Sequence, residues 1–328
     1  MKQVVLVGSG ASAVHFAQSA LERGWRVTMV DVGREPPPHV APELSFTALK
    51  RGHTDPAGYF LGPRFEGVLF AGGEGEYYGF PPHREYIFAG LEPYRLRARG
   101  FDPLSSFARG GLAEAWTGGV FPFNQAELED FPFGQAELAP FYDLVAGRIG
   151  ITGADDDLAR FMPVHEHLDA GLDLDEHSRR LLERYEREKA RLNDDVGCWV
   201  GRSRTAVLRE DRGDRGGCGY LGRCLWGCPR DSIYTPSLTL RQLQRHPDFE
   251  YRSGLYASHF ELDDAGRVRG LIAQSVPDGS LETIPVERLA LGAGTLSSCR
   301  IVLESVRRHG GEALQIGVDT LDFQRALL

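Results

Sequence analysis

The chain has 328 residues, 42% hydrophobic and 25% charged, which is enough globular sequence for one large or two ordinary domains. A net charge of −9 argues against a nucleic-acid partner, because phosphate backbones are held by basic surfaces. No apolar run reaches the length of a membrane span and no charged-then-apolar leader precedes the opening strand, so the expectation is a soluble, cytoplasmic protein.

The first 31 residues carry the clearest pattern. An apolar run, Lys2 to Val7, predicts a strand and stops at Gly8-Ser9-Gly10-Ala11-Ser12-Ala13, a G-x-G-x-x-A turn. A helical stripe follows, with Val14, Ala17, Ala20 and Leu21 on one face and Gly24 at its end. A second β-rich run, Arg26 to Val30, ends in Asp31. Gly8 permits the tight turn, Gly10 lets backbone amides approach a pyrophosphate, and Ala13 lets the helix sit close to the strand. The helix N-terminus offers unpaired N–H groups and partial positive charge to phosphates. Asp31 is placed to accept from a ribose hydroxyl, and a carboxylate there would repel the 2′-phosphate of NADP.

Beyond Asp31 the chain runs through Pro36-Pro37-Pro38 into a loop-rich stretch reaching about residue 105. An insertion at this point fits a flavin domain better than a plain NAD domain. Residues 107–120 then hold two glycine pairs, Gly110-Gly111 and Gly118-Gly119, around Trp116 and Thr117. Such pairs let backbone hug a flat ligand; a plain glycine-rich surface loop is the alternative.

A ten-residue repeat, Phe121-Pro-Phe and Phe131-Pro-Phe, occurs only twice and is no solenoid. The second copy leads into a predicted helix with Leu138, Phe141, Tyr142, Val145 and Ile149 on its core stripe. Another helix is predicted over Glu176 to Leu192, with Leu181, Leu182 and Tyr185 inward and a Glu183–Arg187 pair. His165 and His167 read as a solvated loop, and residues 209–217 as an exposed one. The five cysteines form no disulfide scaffold. Three of them, Cys218, Cys224 and Cys228, are spaced C-x5-C-x3-C with proline after the last. They suit either a three-iron cluster or three reduced thiols in a tight loop.

A short helix is expected at Ser237 to Arg245, with Pro236 in its first turn. The pattern then turns to β at 249–253, 255–262, 267–276, 281–284 and 286–291, with hairpin signals at Asp263–Gly266 and Asp278-Gly279. The last run enters Gly292-Ala293-Gly294, and a helix from Leu296 to Arg308 follows. This is a second strand–glycine–helix junction, suited to a second backbone approach to a cofactor.

Taken together, the blocks GSGASA at 8–13 with Asp31, RGGLAEAWTGG at 109–119, CGYLGRCLWGCP at 218–229 and LALGAGTLSSCRIVLES at 289–305 resemble the glucose–methanol–choline (GMC) flavin oxidoreductases, in the family's order and over nearly the whole chain. The resemblance is strongest to choline-dehydrogenase-like bacterial members. It implies an α/β fold: a doubly wound, Rossmann-like FAD-binding domain with inserted loop-rich and helical segments and an antiparallel β-meander. The implied boundaries are 1–35, 105–135 and 230–310 for the discontinuous FAD domain, 36–104 for a loop-rich insertion, 136–229 for a helical and cysteine-loop insertion, and 311–328 for a tail cut short.

Residue by residue, the resemblance puts Gly8, Gly10 and Ala13 at the pyrophosphate turn and Asp31 at the adenosine ribose. It puts Gly110, Gly111, Trp116, Thr117, Gly118 and Gly119 along the flavin, the Ala257 backbone at the adenine, and Gly292, Ala293 and Gly294 at the late junction. The cysteine spacing looks like that of flavin sugar dehydrogenases with a three-iron cluster. The implied activity is oxidation of an alcohol or sugar hydroxyl: a base takes the proton, hydride passes to the flavin, and electrons leave to a separate acceptor. Two departures stand out. Ala113 replaces a small hydroxyl residue, and 310–328 show none of the family's substrate sheet or catalytic histidine, so no catalytic base is assigned and the chain reads as an N-terminal portion. Rival readings are a non-catalytic flavin-binding fragment needing a C-terminal domain or second chain, and an NAD-binding module.

Overall fold

A computed structural model describes residues 1–37, 42–63, 65, 81–91, 94, 103–164 and 166–310. His165, the 311–328 tail and parts of the 36–104 insertion lie outside the described residues. In chain order the first elements are β1 (Gln3–Val7), α1 (Ala11–Glu22), β2 (Arg26–Val30), α2 (Phe46–Gly52) and α3 (Pro56–Leu61). Next come α4 (Gln135–Ile149), β3 (Ile151–Gly153), β4 (Leu168–Ala170), α5 (Glu176–Arg191) and α6 (Pro236–Leu243). The chain continues with β5 (Phe249–Arg252), β6 (Leu255–Leu262), β7 (Val268–Ser275), β8 (Leu281–Pro285), β9 (Leu289–Leu291) and α7 (Thr295–Arg308). These elements fall into two compact units. One holds Met1–Val40, Lys50–Trp116 and Thr235–Leu328; the other holds Ala41–Leu49 and Thr117–Tyr234.

The first unit is built on a four-stranded parallel sheet in the order β5-β2-β1-β9. Its central strands β1 and β2 are largely apolar because both faces of the sheet are covered there, whereas edge strand β5 carries Glu250 and Arg252. On one face Val4, Leu6, Val27 and Met29 pack against Ala13, Val14, Ala17 and Leu21 of α1 and Leu240 and Leu243 of α6. On the other, Val5, Val7 and Val30 pack against Leu255, Leu271, Ala273 and Ile284 of the meander and Ile301 of α7. The expected stripe of α1 is therefore its buried face. The fold is the expected mixed α/β one, with β6-β7-β8 as the antiparallel meander.

The five β-rich runs near the C-terminus divide between two sheets. The middle three make the meander, while β5 joins β2 and β9 joins β1, both in parallel. Gly254, at φ +78°, ends β5 and turns the chain into β6. α6 is the connection that lets β5 lie parallel beside β2.

The second unit has little regular sheet: β3 and β4 form a two-stranded parallel pair. Here several expectations need correction. On α4 the buried residues are Ala146 and Ile149, while Phe141 is 59% exposed, so the stripe is rotated away from it. On α5 Tyr185 is buried but Leu181 is 56% exposed. Glu183 pairs with Arg179 one turn before it, and Arg187 donates instead to the Glu183 main-chain carbonyl. The 209–217 loop is anchored by Arg215, whose buried guanidinium donates to the carbonyls of Ile149, Asp231 and Ser232. Residues 209–214 are exposed, as expected of this loop, and three carbonyl acceptors draw the Arg215 cation inside.

Candidate functional site

A pocket of about 840 Å³ opens in the first unit at the carboxyl ends of β1, β2 and β9. This is where open α/β sheets bind ligands. Its floor is the turn after β1. A Cβ built on Gly8, at φ +97°, would lie 2.5 Å from the Gly292 carbonyl oxygen, so neither chain end could come this close with a side chain at that position. Gly292 in turn donates to the Val7 carbonyl at 2.8 Å. A Cβ on Gly292 would meet the Ala13 methyl at 2.8 Å. Ala13 itself is fully buried. Gly10 is different: a Cβ there would meet nothing nearer than the Gly110 carbonyl, at 3.9 Å. Gly10 also caps α1 without any side-chain hydrogen bond, leaving the first-turn amides to an external acceptor.

The loop at 110–111 faces this turn. A Cβ on Gly111 would lie 3.5 Å from the Gly10 Cα. The Gly110 amide donates to Ser9 Oγ at 2.9 Å, and Ser9 Oγ donates to the Asp31 carboxylate. Tyr251 on β5 donates to the same carboxylate oxygen at 3.3 Å. Burial pushes the Asp31 carboxyl up to about 6, against the opposing pull of the Ser9 and Tyr251 hydroxyls and the amides of Gly33 and Val32. Behind Gly110 sits Glu114, 7% exposed, which accepts from the Ser237 amide at 3.0 Å at the start of α6. Burial raises its carboxyl above the usual range, partly offset by Ser237. The side chain of Glu114 fills the space a Cβ on Gly110 would need.

Of the residues singled out from sequence, Gly8, Gly10, Asp31, Gly110, Gly111, Ala257, Gly292, Ala293 and Gly294 all line this one pocket. Ala13 lies beneath it as the packing partner of Gly292. Trp116 is not among its lining residues. Thr117, Gly118 and Gly119 fall in the second unit, where Gly118 packs on Ile233 and its carbonyl accepts from the Ala206 amide. Residues missed by sequence reading are Ser9, Glu114, Tyr251 and Arg300. Only Glu114 gave a signal, as a charge inside a glycine- and aromatic-rich loop. The donors present are backbone amides at two glycine junctions and an uncapped helix end, with one carboxylate beside them. That set fits the diphosphate and ribose of a dinucleotide.

Among the described residues no group of three Cys, His, Asp or Glu side chains is arranged to hold an ion. Cys218, Cys224 and Cys228 are free thiols, and Cys218 Sγ accepts from the Tyr220 amide at 3.4 Å. Tyr220, Gly222 and Gly227 all adopt positive φ, so the loop reverses repeatedly between the three thiols. Among the described residues no helix is long and apolar enough to cross a membrane.

The fold is a mixed α/β, Rossmann-like one, with the pocket at the carboxyl ends of its parallel strands. No protein-family model matches the chain. It is 25% identical over 323 residues to paromamine 6'-oxidase of Streptomyces fradiae, across 94% of this chain and 50% of that one. It is 24% identical over 311 residues to 6'''-hydroxyparomomycin C oxidase of Streptomyces lividus, across 92% and 50%. The chain thus spans about half the length of the curated relatives it matches. Among solved structures it is similar to pyridoxine 4-oxidase from Mesorbium loti, with a TM-score of 0.47 and 16% identity over 91% of this chain and 50% of that one. A fungal aryl-alcohol oxidase gives a TM-score of 0.45 and 12% identity over 92% and 47%. The resemblance to the GMC flavin oxidoreductases drawn from the four sequence blocks stands.

Proposed function

We propose that this chain is the FAD-binding part of a flavin-dependent oxidoreductase that oxidises a hydroxyl of a small-molecule alcohol or sugar. One observation carries the cofactor assignment: three glycine junctions, far apart in sequence, meet around a single pocket with Asp31 at its rim. In this reading Gly8, Gly10 and the first-turn amides of α1 hold the diphosphate, with Ala13 keeping the helix close. Gly292, Ala293 and Gly294 add a second set of backbone contacts, Gly110 and Gly111 follow the same ligand, and Ala257 lies at its nucleoside end. Asp31 accepts a ribose hydroxyl. FAD, when bound, supplies the redox chemistry. The hydroxyl substrate is carried over from the two relatives, both named as oxidases; the separate electron acceptor is carried over from the family resemblance alone.

Titrating the purified, cofactor-stripped chain with FAD tests the reading. The expected result is a yellow, equimolar complex that survives gel filtration and quenches flavin fluorescence. Folded protein that stays colourless in excess FAD would overturn it.

A further inference from the structure

One side chain at the pocket has a setting that the backbone scheme does not explain. Arg300, on the second turn of α7, lines the pocket beside Leu255, Tyr256 and Ala257 of β6. β6 carries an irregularity between Ala257 and His259, where its register against β7 shifts. Bulges of this kind free main-chain groups from the ladder. Arg300 takes up two carbonyls there: Nη2 donates to Ala257 at 2.5 Å and Nη1 to Ser258 at 2.9 Å. Its guanidinium carbon also sits 4.8 Å from the Tyr256 ring centre. Tyr256 is in turn stacked on Tyr94, with ring centres 3.6 Å apart and planes 15° from parallel. No carboxylate pairs with Arg300 among the described residues, so its charge is met only by carbonyl dipoles and a π-face.

This arrangement changes the role of Ala257. Its carbonyl already accepts a charge-assisted hydrogen bond, which weakens it as an acceptor for a ligand amino group. What the strand offers the pocket instead is a fixed, planar, delocalised cation. Guanidinium planes stack readily on aromatic rings, and purines present the larger π-surface among the bases. We propose that Arg300 is a binding residue for the purine of the nucleoside half, favouring adenine over a pyrimidine through its guanidinium face. Asp31 and the glycine turns hold the sugar and phosphates, which every nucleoside diphosphate shares; Arg300 supplies the base preference.

The inference rests on the dinucleotide reading above, and calorimetry with ADP and UDP separates the two. If the wild-type chain binds neither ADP nor FAD, the dinucleotide reading itself fails. If it binds ADP, Arg300→Ala is expected to weaken ADP about tenfold and UDP by far less, collapsing the base preference. Arg300→Lys keeps the charge and a donor for the bulge but loses the planar fork. It is expected to melt within a few degrees of wild type while binding ADP as weakly as the alanine variant does. Equal losses for ADP and UDP, restored by Arg300→Lys, would show a phosphate-directed charge and overturn the proposal. A lowered melting temperature with unchanged ADP binding would overturn it as well, leaving Arg300 as a clamp on the strand. Should the alanine variant not fold, the lysine variant alone decides between these outcomes.

Discussion

The two units are held together by different means. In the first, a parallel sheet buried on both faces fixes strand ends so that main-chain atoms form the pocket. In the second, sheet is scarce and buried arginines take its place. Arg204, 1% exposed, donates to the carbonyls of Met162 and Pro163, and Arg215 donates to three more. Burial lowers the Arg215 guanidinium to about 10, still charged at neutral pH. The difference teaches where backbone hydrogen bonds go when no ladder takes them: a forked cation satisfies several loop carbonyls at once.

The largest expected effect tests that second mode. Arg215→Leu removes the guanidinium from three carbonyls, two of those bonds being buried, and of these Ser232 keeps another donor, the Leu208 amide. A loss of about 4 kcal/mol follows if each carbonyl costs 1–3 kcal/mol and some regain water. Urea denaturation of wild type and variant measures it; a shift below about 1 kcal/mol would mean the loop re-solvates freely. Next comes the matching probe of the first mode. Gly8→Ala places a methyl 2.5 Å from the Gly292 carbonyl at a positive φ. Strain and overpacking together are expected to cost about 3 kcal/mol and to abolish FAD uptake.

Gly10→Ala sharpens the comparison because it separates fold from ligand. Gly10 has φ −68°, open to any residue, and its nearest neighbour to a new methyl is 3.9 Å away. Stability is expected to change by less than about 0.5 kcal/mol, while FAD affinity falls about tenfold or more as the methyl enters the diphosphate space. Full FAD affinity in Gly10→Ala would remove the diphosphate from this turn.

The same contrast explains what the sequence disclosed. The β1–α1–β2 stretch was legible because strand period, glycine turn and helix stripe agree with one another and need only near neighbours. The glycine junctions at 110–111 and 292–294 were legible as close approaches, and both reach the pocket. On α4 and α5 the readings held in part: Ile149 and Tyr185 turn inward as expected, while Phe141 and Leu181 do not, because helical period alone does not say how wide a face the neighbouring loops cover. Tyr251 and Arg300 gave no local sign. Their partners, Asp31 and the carbonyls at 257–258, are 220 and some 42 residues away. The cysteine spacing left two readings open, and spacing alone does not choose between them: Cys218, Cys224 and Cys228 stand as free thiols, with Cys224 near enough to feel the other two.

The smallest expected effect concerns Asp31, and its sign can be worked out. Burial lifts its carboxyl from the usual 3.8 to about 6, so the folded, ligand-free chain holds a proton that the unfolded chain has lost across that window. Its contribution to stability is therefore greatest at low pH and declines as pH rises from about 4 to about 6. Ligand binding runs the other way. A ribose hydroxyl is accepted best by the ionised carboxylate, so FAD affinity should climb over the same interval. The groups facing Asp31 are Ser9 on the turn, Tyr251 on β5 and, through the Tyr251 ring, Arg109. Burial and the nearby Asp31 charge push the Tyr251 hydroxyl up, so it stays protonated and donating throughout. Asp31→Asn keeps the shape and cannot titrate. It is expected to flatten both slopes and to weaken FAD about threefold to tenfold at pH 8, with little change at pH 5. If the variant keeps the wild-type rise in affinity, the titrating group is elsewhere and the ribose is not held by this carboxylate.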